Sequence, residues 1–245
     1  MSKIIWITGA SQGIGAATAK ALSRQGHTVL ITARHKQNLD DVARTSERIH
    51  SYPGDITVEQ DMARLVAQIE DDHGPIDIAI LNAGTYIPET LSHFDTKTFA
   101  SQINLNIHGT VYCLAPLLER FTVRKAGHIA IVASVAGYRG LPKSLAYGTS
   151  KAGLIHLADA LAVMGRAHNI KVQVISPGFI KTPLTDKNDF KMPFLMDADS
   201  AADRIVKGLA SNRFEITFPR RFAYLLKLVG LLPNRLYQML ISKVA

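Results

Sequence analysis

The amino-acid sequence predicts an α/β fold of the Rossmann type, a single domain with a doubly wound parallel β-sheet flanked by helices. Short apolar, β-branched runs alternate with longer segments of helical period, which favours a parallel sheet. A glycine-rich loop joins the first of these runs directly to the first helical segment. No internal repeat or linker divides the 245 residues, and one α/β domain can have this length.

The first strand, loop and helix predict a nucleotide-binding βαβ unit. Residues 3–8 read as a short buried strand, and the loop Gly9–Gly15 leads into an apolar-periodic helix that ends at Gly26. Glycines let the backbone approach a pyrophosphate, and a helix N-terminus offers it free N–H groups. The alternative is a tight turn that binds no ligand.

The second strand, residues 28–32, bears on the choice of cofactor. Enzymes that use NAD tend to place an acidic residue after this strand for the ribose 2′-hydroxyl. This chain has Arg34 there, and a guanidinium suits a 2′-phosphate. The sequence therefore favours NADP(H), with NAD(H) as the alternative cofactor, unless Arg34 is only a solvated charge. After a weak third strand, Asp55 either receives an adenine amino group or caps a helix that begins near Val58.

The next strand and helix bring further polar groups. Residues 76–81 are predicted to form a buried strand that ends in the small residues Asn82-Ala83-Gly84, against which a cofactor could lie. A long helix is predicted over residues 99–121, and Asn106 interrupts its apolar stripe. A buried amide needs partners. Asn106 is either a water or backbone anchor near an active site or a structural bond to a neighbouring strand.

The stretch from Ser134 to Lys151 has the composition of a catalytic centre. Ser134 follows a predicted strand, and Tyr147 and Lys151 lie four residues apart in the first turns of a helix, so they share one face. A nearby cation should lower the pKa of the phenol, which would make Tyr147 a general acid/base beside a hydrogen-bonding Ser134. The alternative is a surface tyrosine and a solvated lysine.

The last part of the domain combines a buried strand near 172–176, a loop over 177–182 and a final strand over 215–218. Residues 183–198 mix charged and apolar side chains without periodicity. They are either a mobile lid over an apolar substrate pocket or an ordinary surface loop.

Composition and charge exclude several other classes of protein. The net charge is +8, but residues 204–245 carry eight basic and one acidic residue, so the basicity belongs to the C-terminal end. No basic face with interleaved aromatics marks the rest, so we expect no nucleic-acid binding. The nine histidines show no metal-ligand spacing, so we expect no metal site. A single cysteine and the lack of a signal peptide or membrane span predict a cytoplasmic location.

The motifs together resemble the short-chain dehydrogenase/reductase family over about residues 3–218. They are TGASQGIG at 8–15, GDIT at 54–57, NAG at 82–84, Asn106, Ser134, YGTSK at 147–151 and PGFIKT at 177–182. The resemblance implies hydride transfer between a nicotinamide and a carbonyl/alcohol pair. Tyr147 would give or take the proton, Ser134 would hold the substrate oxygen, and Lys151 would bind the nicotinamide ribose and lower the pKa of Tyr147. Asn106 would hold the water that links Lys151 to solvent.

The same resemblance implies a set of cofactor contacts and a division of the chain. Residues 1–218 would be the dinucleotide-binding and catalytic domain, and 219–245 a helical extension of it, here called the tail. The implied contacts are Gly9, Ser11, Gln12, Gly13, Ile14, Gly15, Arg34, Asp55, Ile56, Asn82, Ala83, Gly84, Tyr147, Lys151, Pro177, Gly178, Ile180 and Thr182.

Two departures from the family pattern affect the expected cofactor preference and the expected oligomeric state. Gln12 stands where many NADP-dependent members have a basic residue, so the NADP preference depends on Arg34. The tail replaces a segment that builds tetramers in other members, so we expect a homodimer through the helices at 99–121 and 147–167. Its two apolar, basic patterns either lie in a membrane interface or cover the pocket or the dimer partner. In both cases we expect a lipophilic carbonyl/alcohol substrate. The alternative functions are a cofactor-binding sensor and a peripheral membrane protein with vestigial catalysis.

Overall fold

The strands form one parallel sheet that confirms the predicted fold class. The computed structural model describes residues 2–187 and 192–243 of the chain. Within them, seven strands are arranged in the order β3-β2-β1-β4-β5-β6-β7, and every neighbouring pair is parallel. The strands are β1 Ile4–Thr8, β2 Thr28–Thr32, β3 Ile49–Ser51, β4 Ile78–Leu81, β5 Gly127–Val132, β6 Ile170–Pro177 and β7 Glu215–Phe218.

Helices cover both faces of this sheet, which explains why its strands are almost continuously apolar. The helices are α1 Gly13–Arg24, α2 Lys36–Ala43, α3 Glu59–His73, α4 Thr96–Ile103, α5 Gly109–Arg124, α6 Leu145–Gly165, α7 Ala198–Leu209, α8 Arg220–Gly230 and α9 Asn234–Ile241. Side chains alternate along β1, so that Ile5 and Ile7 pack with α1, α2 and α7, whereas Trp6 packs with α3, α5 and α6 on the other face.

The prediction of one continuous helix over residues 99–121 is wrong. The structure divides this region into α4, a π-helical turn over Asn104–His108, and α5. The turn contains Asn106, whose side chain bonds to groups outside the helix. Such π turns are frequent at functional sites, where one extra residue re-aims a side chain. Here the turn aims Asn106 toward the loop that follows β4.

The tail packs against the body of its own subunit through one side of each helix. Phe222 and Ala223 of α8 and Tyr237 of α9 are buried. Arg139 donates to the carbonyl oxygens of Gly230 and Leu232 at 2.5 and 2.7 Å. Its guanidinium also donates to Oδ1 of Asn234 and stacks 3.9 Å from the centre of the Tyr237 ring. These contacts fix the tail to the loop that follows β5. No helix in the described part of the chain is long and apolar enough to cross a membrane.

Candidate active site

The sheet order reverses between β1 and β4, and in open α/β sheets the crevice at such a switch point binds ligands. The loop after β1 is shaped to let another backbone come close. Gly9 has a φ of +65°, and a Cβ on it would lie 2.6 Å from Cα of Ala83. Gly13, at φ +58°, begins α1, and no side chain caps this helix at its N-cap residue Gln12. The first-turn N–H groups of α1 are therefore open to an anion.

A cavity of about 440 Å³ lies over this loop and contains most of the predicted cofactor contacts. A larger depression of about 840 Å³ beside β3 contains none of the predicted site residues. Of the predicted residues, the smaller cavity is lined by Gly9, Ser11, Gln12, Gly13, Ile14, Arg34, Asp55, Ile56, Asn82, Ala83, Gly84 and Thr182. Its other lining residues are Ala33, His35, Gly54, Thr85, Leu105, Pro183 and Leu184, of which Gly54 belongs to the GDIT motif.

The cavity walls fit a phosphorylated dinucleotide. Arg34 is exposed at the rim, where a 2′-phosphate would need a cation. Asp55 lies on the wall and accepts hydrogen bonds from the backbone N and Oγ1 of Thr57, at 2.9 and 2.8 Å. The N-cap of α3 is Val58, which has no capping side chain, so the alternative that Asp55 caps this helix is wrong. Its contact with an adenine amino group stays a prediction.

Six of the predicted cofactor contacts do not line this cavity, and two of them, Tyr147 and Lys151, belong to the group described in the paragraphs below. Gly15 lies behind the loop, where a Cβ would meet the oxygen of Gly9 and Nδ2 of Asn82 at 2.6 Å. Ile180 is buried in the core beneath the cavity. The carbonyl oxygen of Pro177 faces Oγ of Ser134, and the N–H of Gly178 donates to the oxygen of Phe218 at 2.8 Å. These four residues lie outside the cavity and contact the residues and loops that surround it.

Next to the cavity, beyond Gly84, the structure brings Ser134, Tyr147 and Lys151 together, although none of the three lines the cavity itself. Ser134 follows β5, and its Oγ accepts a hydrogen bond from the N–H of Ala136 at 3.1 Å. Tyr147 and Lys151 lie in the first two turns of α6, and Nζ of Lys151 is 5.6 Å from the centre of the Tyr147 ring. Gly84 connects this group to the cavity, because a Cβ there would lie 3.3 Å from Nζ of Lys151.

The pKa shifts in this group differ from the sequence-based expectation. Burial lowers the pKa of Lys151 to about 8. Burial raises the pKa of the Tyr147 phenol, and a hydrogen bond with Ser134 only partly offsets that effect. The expectation that Lys151 lowers the pKa of Tyr147 is therefore wrong for this structure. The physical reason is that Nζ of Lys151 donates to the carbonyl oxygen of Val132 at 2.8 Å and makes no bond to the phenol.

Asn106 anchors the backbone that separates the cavity from this group. Its Oδ1 accepts from the N–H of Thr85 at 2.8 Å, and its Nδ2 donates to the oxygen of Thr85 at 3.0 Å. Nδ2 also donates to Oγ of Ser150 at 2.9 Å. Thr85 follows Gly84 in a loop, so the backbone-anchor alternative holds and the bond to a neighbouring strand is wrong. Asn106 joins the cofactor-side loop to the helix that carries Tyr147 and Lys151.

Sequence reasoning missed three polar residues that position this site. Oγ1 of Thr8 accepts from the N–H groups of Asn82 and Ala83 at 3.0 and 3.1 Å. Ser150 bonds to Asn106 as described above. Glu89 is 97% buried and accepts from the N–H of Ala146 at 2.6 Å, at the start of α6. Thr8 stands inside the TGASQGIG motif and Ser150 inside the YGTSK motif, which could have indicated both, whereas no local pattern marks Glu89.

The segment predicted as a lid has definite structure where it is described. Pro183 and Leu184 line the cavity, and a short 3₁₀ turn spans Thr185–Lys187. Met196 pairs with Ile180 in an isolated β-bridge. Residues 188–191 of the predicted lid lie outside the described residues, and movement of the segment stays a prediction.

Comparison with known proteins gives consistent matches. Residues 3–192 match the sequence family described as short chain dehydrogenase. An uncharacterized oxidoreductase of Myxococcus xanthus is 31% identical over 235 residues, which are 94% of this chain and 93% of that protein. The 3-oxoacyl-acyl-carrier-protein reductase FabG of Thermotoga maritima is 31% identical over 189 residues, 76% of this chain and 77% of its own length. The solved structure of ElxO with NADP bound has a TM-score of 0.79 and 27% identity, covering 89% of this chain and 98% of ElxO.

Proposed function

We propose that this chain, which belongs to the short-chain dehydrogenase/reductase family, uses NADP(H) to interconvert a lipophilic carbonyl compound and its alcohol. Family membership makes it an oxidoreductase that acts on a CH–OH or C=O group with a nicotinamide cofactor. The observation that carries the finer proposal is the position of Ser134, Tyr147 and Lys151 next to the cavity over the glycine loop.

Each polar group has one task in this reaction. The bound nicotinamide supplies or accepts the hydride. Tyr147 gives a proton to the carbonyl oxygen during reduction, and its raised pKa keeps the phenol protonated at neutral pH. Ser134 donates a hydrogen bond to the same oxygen. Lys151 binds the nicotinamide ribose. Asn106 holds the backbone at Thr85, next to Gly84, and so keeps the cofactor and the Tyr147 phenol in a fixed relative position.

The preference for NADP(H) depends on the rim of the cavity. Arg34 is the basic side chain after β2, at the place where NAD-dependent enzymes tend to have an acidic residue. Asp55, the acidic residue in the cavity lining, already accepts two hydrogen bonds from Thr57. The NADP in the structure of ElxO supports this choice by likeness. Gln12 adds no charge in the glycine loop, so Arg34 alone selects the 2′-phosphate in this proposal.

Aromatic and apolar side chains near the phenol support a lipophilic substrate. The ring of Tyr86 packs edge-on against that of Tyr147, with centroids 5.1 Å apart. Leu105 and Leu184 line the adjoining cavity. We expect the carbonyl to enter with its apolar part against these side chains.

We further propose a cytoplasmic homodimer that makes peripheral contact with a membrane. Val123 of α5 is 83% exposed, and Val163 and Met164 of α6 are 67% and 70% exposed. Burying such side chains between two copies is favourable. The lipophilic substrate class and the membrane contact support each other, because lipophilic carbonyl compounds partition into bilayers.

The test is NADPH and NADH oxidation with carbonyl compounds graded from polar sugars to long-chain and steroid-like ketones. We expect turnover to rise with lipophilicity and to be faster with NADPH at limiting cofactor concentration. Equal or better turnover of small, highly polar carbonyls would refute the substrate class. A preference for NADH would refute the role of Arg34.

A further inference from the structure

We propose that the outward sides of α8 and α9 form a surface that binds an anionic lipid bilayer. This tail surface consists of Tyr224, Leu225, Leu228, Leu231, Leu236, Met239 and Leu240, together with the basic residues Arg220, Arg221, Arg235 and Lys243. The proposed orientation has both helices lying in the membrane interface, since neither is long enough to span a bilayer.

The apolar members of the tail surface point away from the protein. In α8, Tyr224, Leu225 and Leu228 are 57%, 50% and 66% exposed, and Leu231 just after the helix is 82% exposed. The spacing of three and four residues puts them on one stripe, opposite the buried Phe222 and Ala223. A helix side that faces water normally carries polar and charged residues, so an exposed stripe of large apolar residues indicates a binding surface.

The second tail helix repeats the arrangement. Leu236, Met239 and Leu240 are 48%, 56% and 41% exposed, whereas Tyr237 is 7% exposed and packs inward. Each tail helix already buries one side in its own subunit, and none of residues 2–187 and 192–243 covers its outward apolar side.

The charge pattern selects the kind of partner. Residues 219–245 contain five basic residues and no acidic one. Lys227 forms an ion pair with Glu215, but Arg220, Arg221, Arg235 and Lys243 are exposed. They lie three or four residues from members of the two apolar stripes, near the helix ends. Anionic headgroups pair with such residues while the apolar side chains enter the acyl region.

The same charges argue against a second copy of the chain as the occupant. In a two-fold symmetric contact the same patch meets itself. The four basic residues of each copy would then approach those of the other, with no acidic residue in either tail to compensate them. A bilayer with anionic lipid brings the missing opposite charge.

The tail is fixed to the body, and its buried Phe222 packs in one cluster with Val135, the residue after Ser134. Arg139 holds the turn between α8 and α9, and the hydroxyl of Tyr237 donates to the oxygen of Gly140 at 2.7 Å. Phe222 of α8 contacts the rings of Phe179 and Phe194, at centroid distances of 5.6 and 5.8 Å. If the proposed function is correct, a lipophilic substrate can pass between bilayer and pocket along these side chains, and this step alone rests on that function.

Vesicle co-sedimentation of the full-length protein tests the proposal. The vesicles contain either phosphatidylcholine alone or phosphatidylcholine with phosphatidylglycerol. The variant Leu228→Glu/Met239→Glu changes the tail surface without touching a buried contact. Leu91→Glu is the matched control, since Leu91 is 92% exposed and lies outside the tail. A truncated chain is unsuitable, because the tail contributes buried Phe222 and Tyr237 to the folded body.

We expect the wild-type protein and Leu91→Glu to sediment with the anionic vesicles and not with the neutral ones. Leu228→Glu/Met239→Glu should stay in the supernatant. Arg220→Gln/Arg221→Gln should bind about twenty-five-fold more weakly, at roughly fivefold for each basic residue. Failure of the wild-type protein to bind anionic vesicles would overturn the proposal, and so would unchanged binding of Leu228→Glu/Met239→Glu.

Two further measurements distinguish this proposal from a dimer contact through the tail surface and from the proposed function. Sedimentation equilibrium of wild type and Leu228→Glu/Met239→Glu should give the same oligomeric state, and a dimer lost only in the variant would assign the tail surface to a second copy and overturn the proposal. Turnover of a water-soluble carbonyl is measured in the same samples. Vesicle binding without any turnover would count against the proposed function and leave the membrane surface standing.

Discussion

Nδ2 of Asn106 donates to Oγ of Ser150 at 2.9 Å, and both atoms are buried. Ser150 also donates to the carbonyl oxygen of Tyr147 at 2.7 Å, within the same helix. The bond between Asn106 and Ser150 therefore joins the π turn before α5 to the helix that carries Tyr147 and Lys151. It explains how a residue far before Tyr147 in the chain can fix the geometry around the phenol.

Ser150→Ala should lower both stability and turnover. The change leaves one donor of a buried amide without a partner, which costs about 1–3 kcal/mol. We expect the free energy of unfolding to fall by that amount. We expect kcat to fall more than KM rises, because the Tyr147 phenol is no longer held in its position. Thr149→Ala is the control, since Thr149 is exposed on the same helical turn. Equal effects of the two substitutions in urea unfolding and steady-state kinetics would refute this role.

Arg34→Gln should weaken NADPH binding and leave NADH binding nearly unchanged. A hydrogen bond to a charged group contributes about 1.5–3 kcal/mol, so the Kd for NADPH should rise about tenfold to a hundredfold. Titration of the cofactor fluorescence measures both affinities. Lys36→Gln is the control, because Lys36 is exposed nearby and pairs with Asp40. Equal weakening of NADPH binding by both variants would mean that only the general positive charge matters.

Acidification should destabilise the protein through His128. Burial lowers the pKa of this histidine from 6.5 to about 4, and its Nε2 lies 2.8 Å from Oε1 of the buried Gln173. Between pH 6.5 and 4 the unfolded chain therefore binds a proton that the folded chain does not, so stability falls as the pH falls through this window. At pH 5 this effect amounts to about 2 kcal/mol.

The measurement is urea unfolding of wild type and His128→Gln at pH 7 and pH 5. We expect the variant to start from a lower stability and to lose less of it on acidification. His168→Gln is the control, because His168 is exposed. If His128→Gln loses as much stability as wild type between the two pH values, the acid sensitivity has another origin.

Arg139→Ala should release the tail from the body. The substitution removes three hydrogen bonds and the stacking on Tyr237, and we expect a loss of about 2–4 kcal/mol in the free energy of unfolding. Limited proteolysis should then cut preferentially after residue 219. Arg166→Ala is the control, since Arg166 is exposed at the end of α6. Identical proteolysis patterns for both variants would show that Arg139 does not hold the tail.

The sheet and the catalytic group could be predicted because their signals are local. A buried strand, a glycine loop and two residues four apart on a helix each leave a short pattern in the sequence. The cofactor contacts were harder to predict. Pro177, Gly178 and Ile180 belong to the expected loop, but their positions relative to the cavity depend on how β6 and β7 pack.

Other features depend on tertiary contacts that no pattern contains. A helical period continues through the π turn at Asn106, because one extra residue hardly changes the apolar stripe. The pKa of Tyr147 depends on burial and on where Nζ of Lys151 finds its acceptor, and that acceptor is the backbone of β5. Glu89 reaches the start of α6 across 57 positions of the chain, so only the fold reveals it.

The central claim is that the Tyr147 phenol transfers the proton in an NADP(H)-dependent carbonyl reduction. The most direct measurement is the turnover of Tyr147→Phe with NADPH and the best carbonyl substrate, together with the Kd for NADPH. The substitution removes one oxygen and keeps the ring that packs on Tyr86. We predict a loss of about a hundredfold to ten-thousandfold in kcat at unchanged NADPH affinity. A kcat close to that of the wild type would contradict the claim.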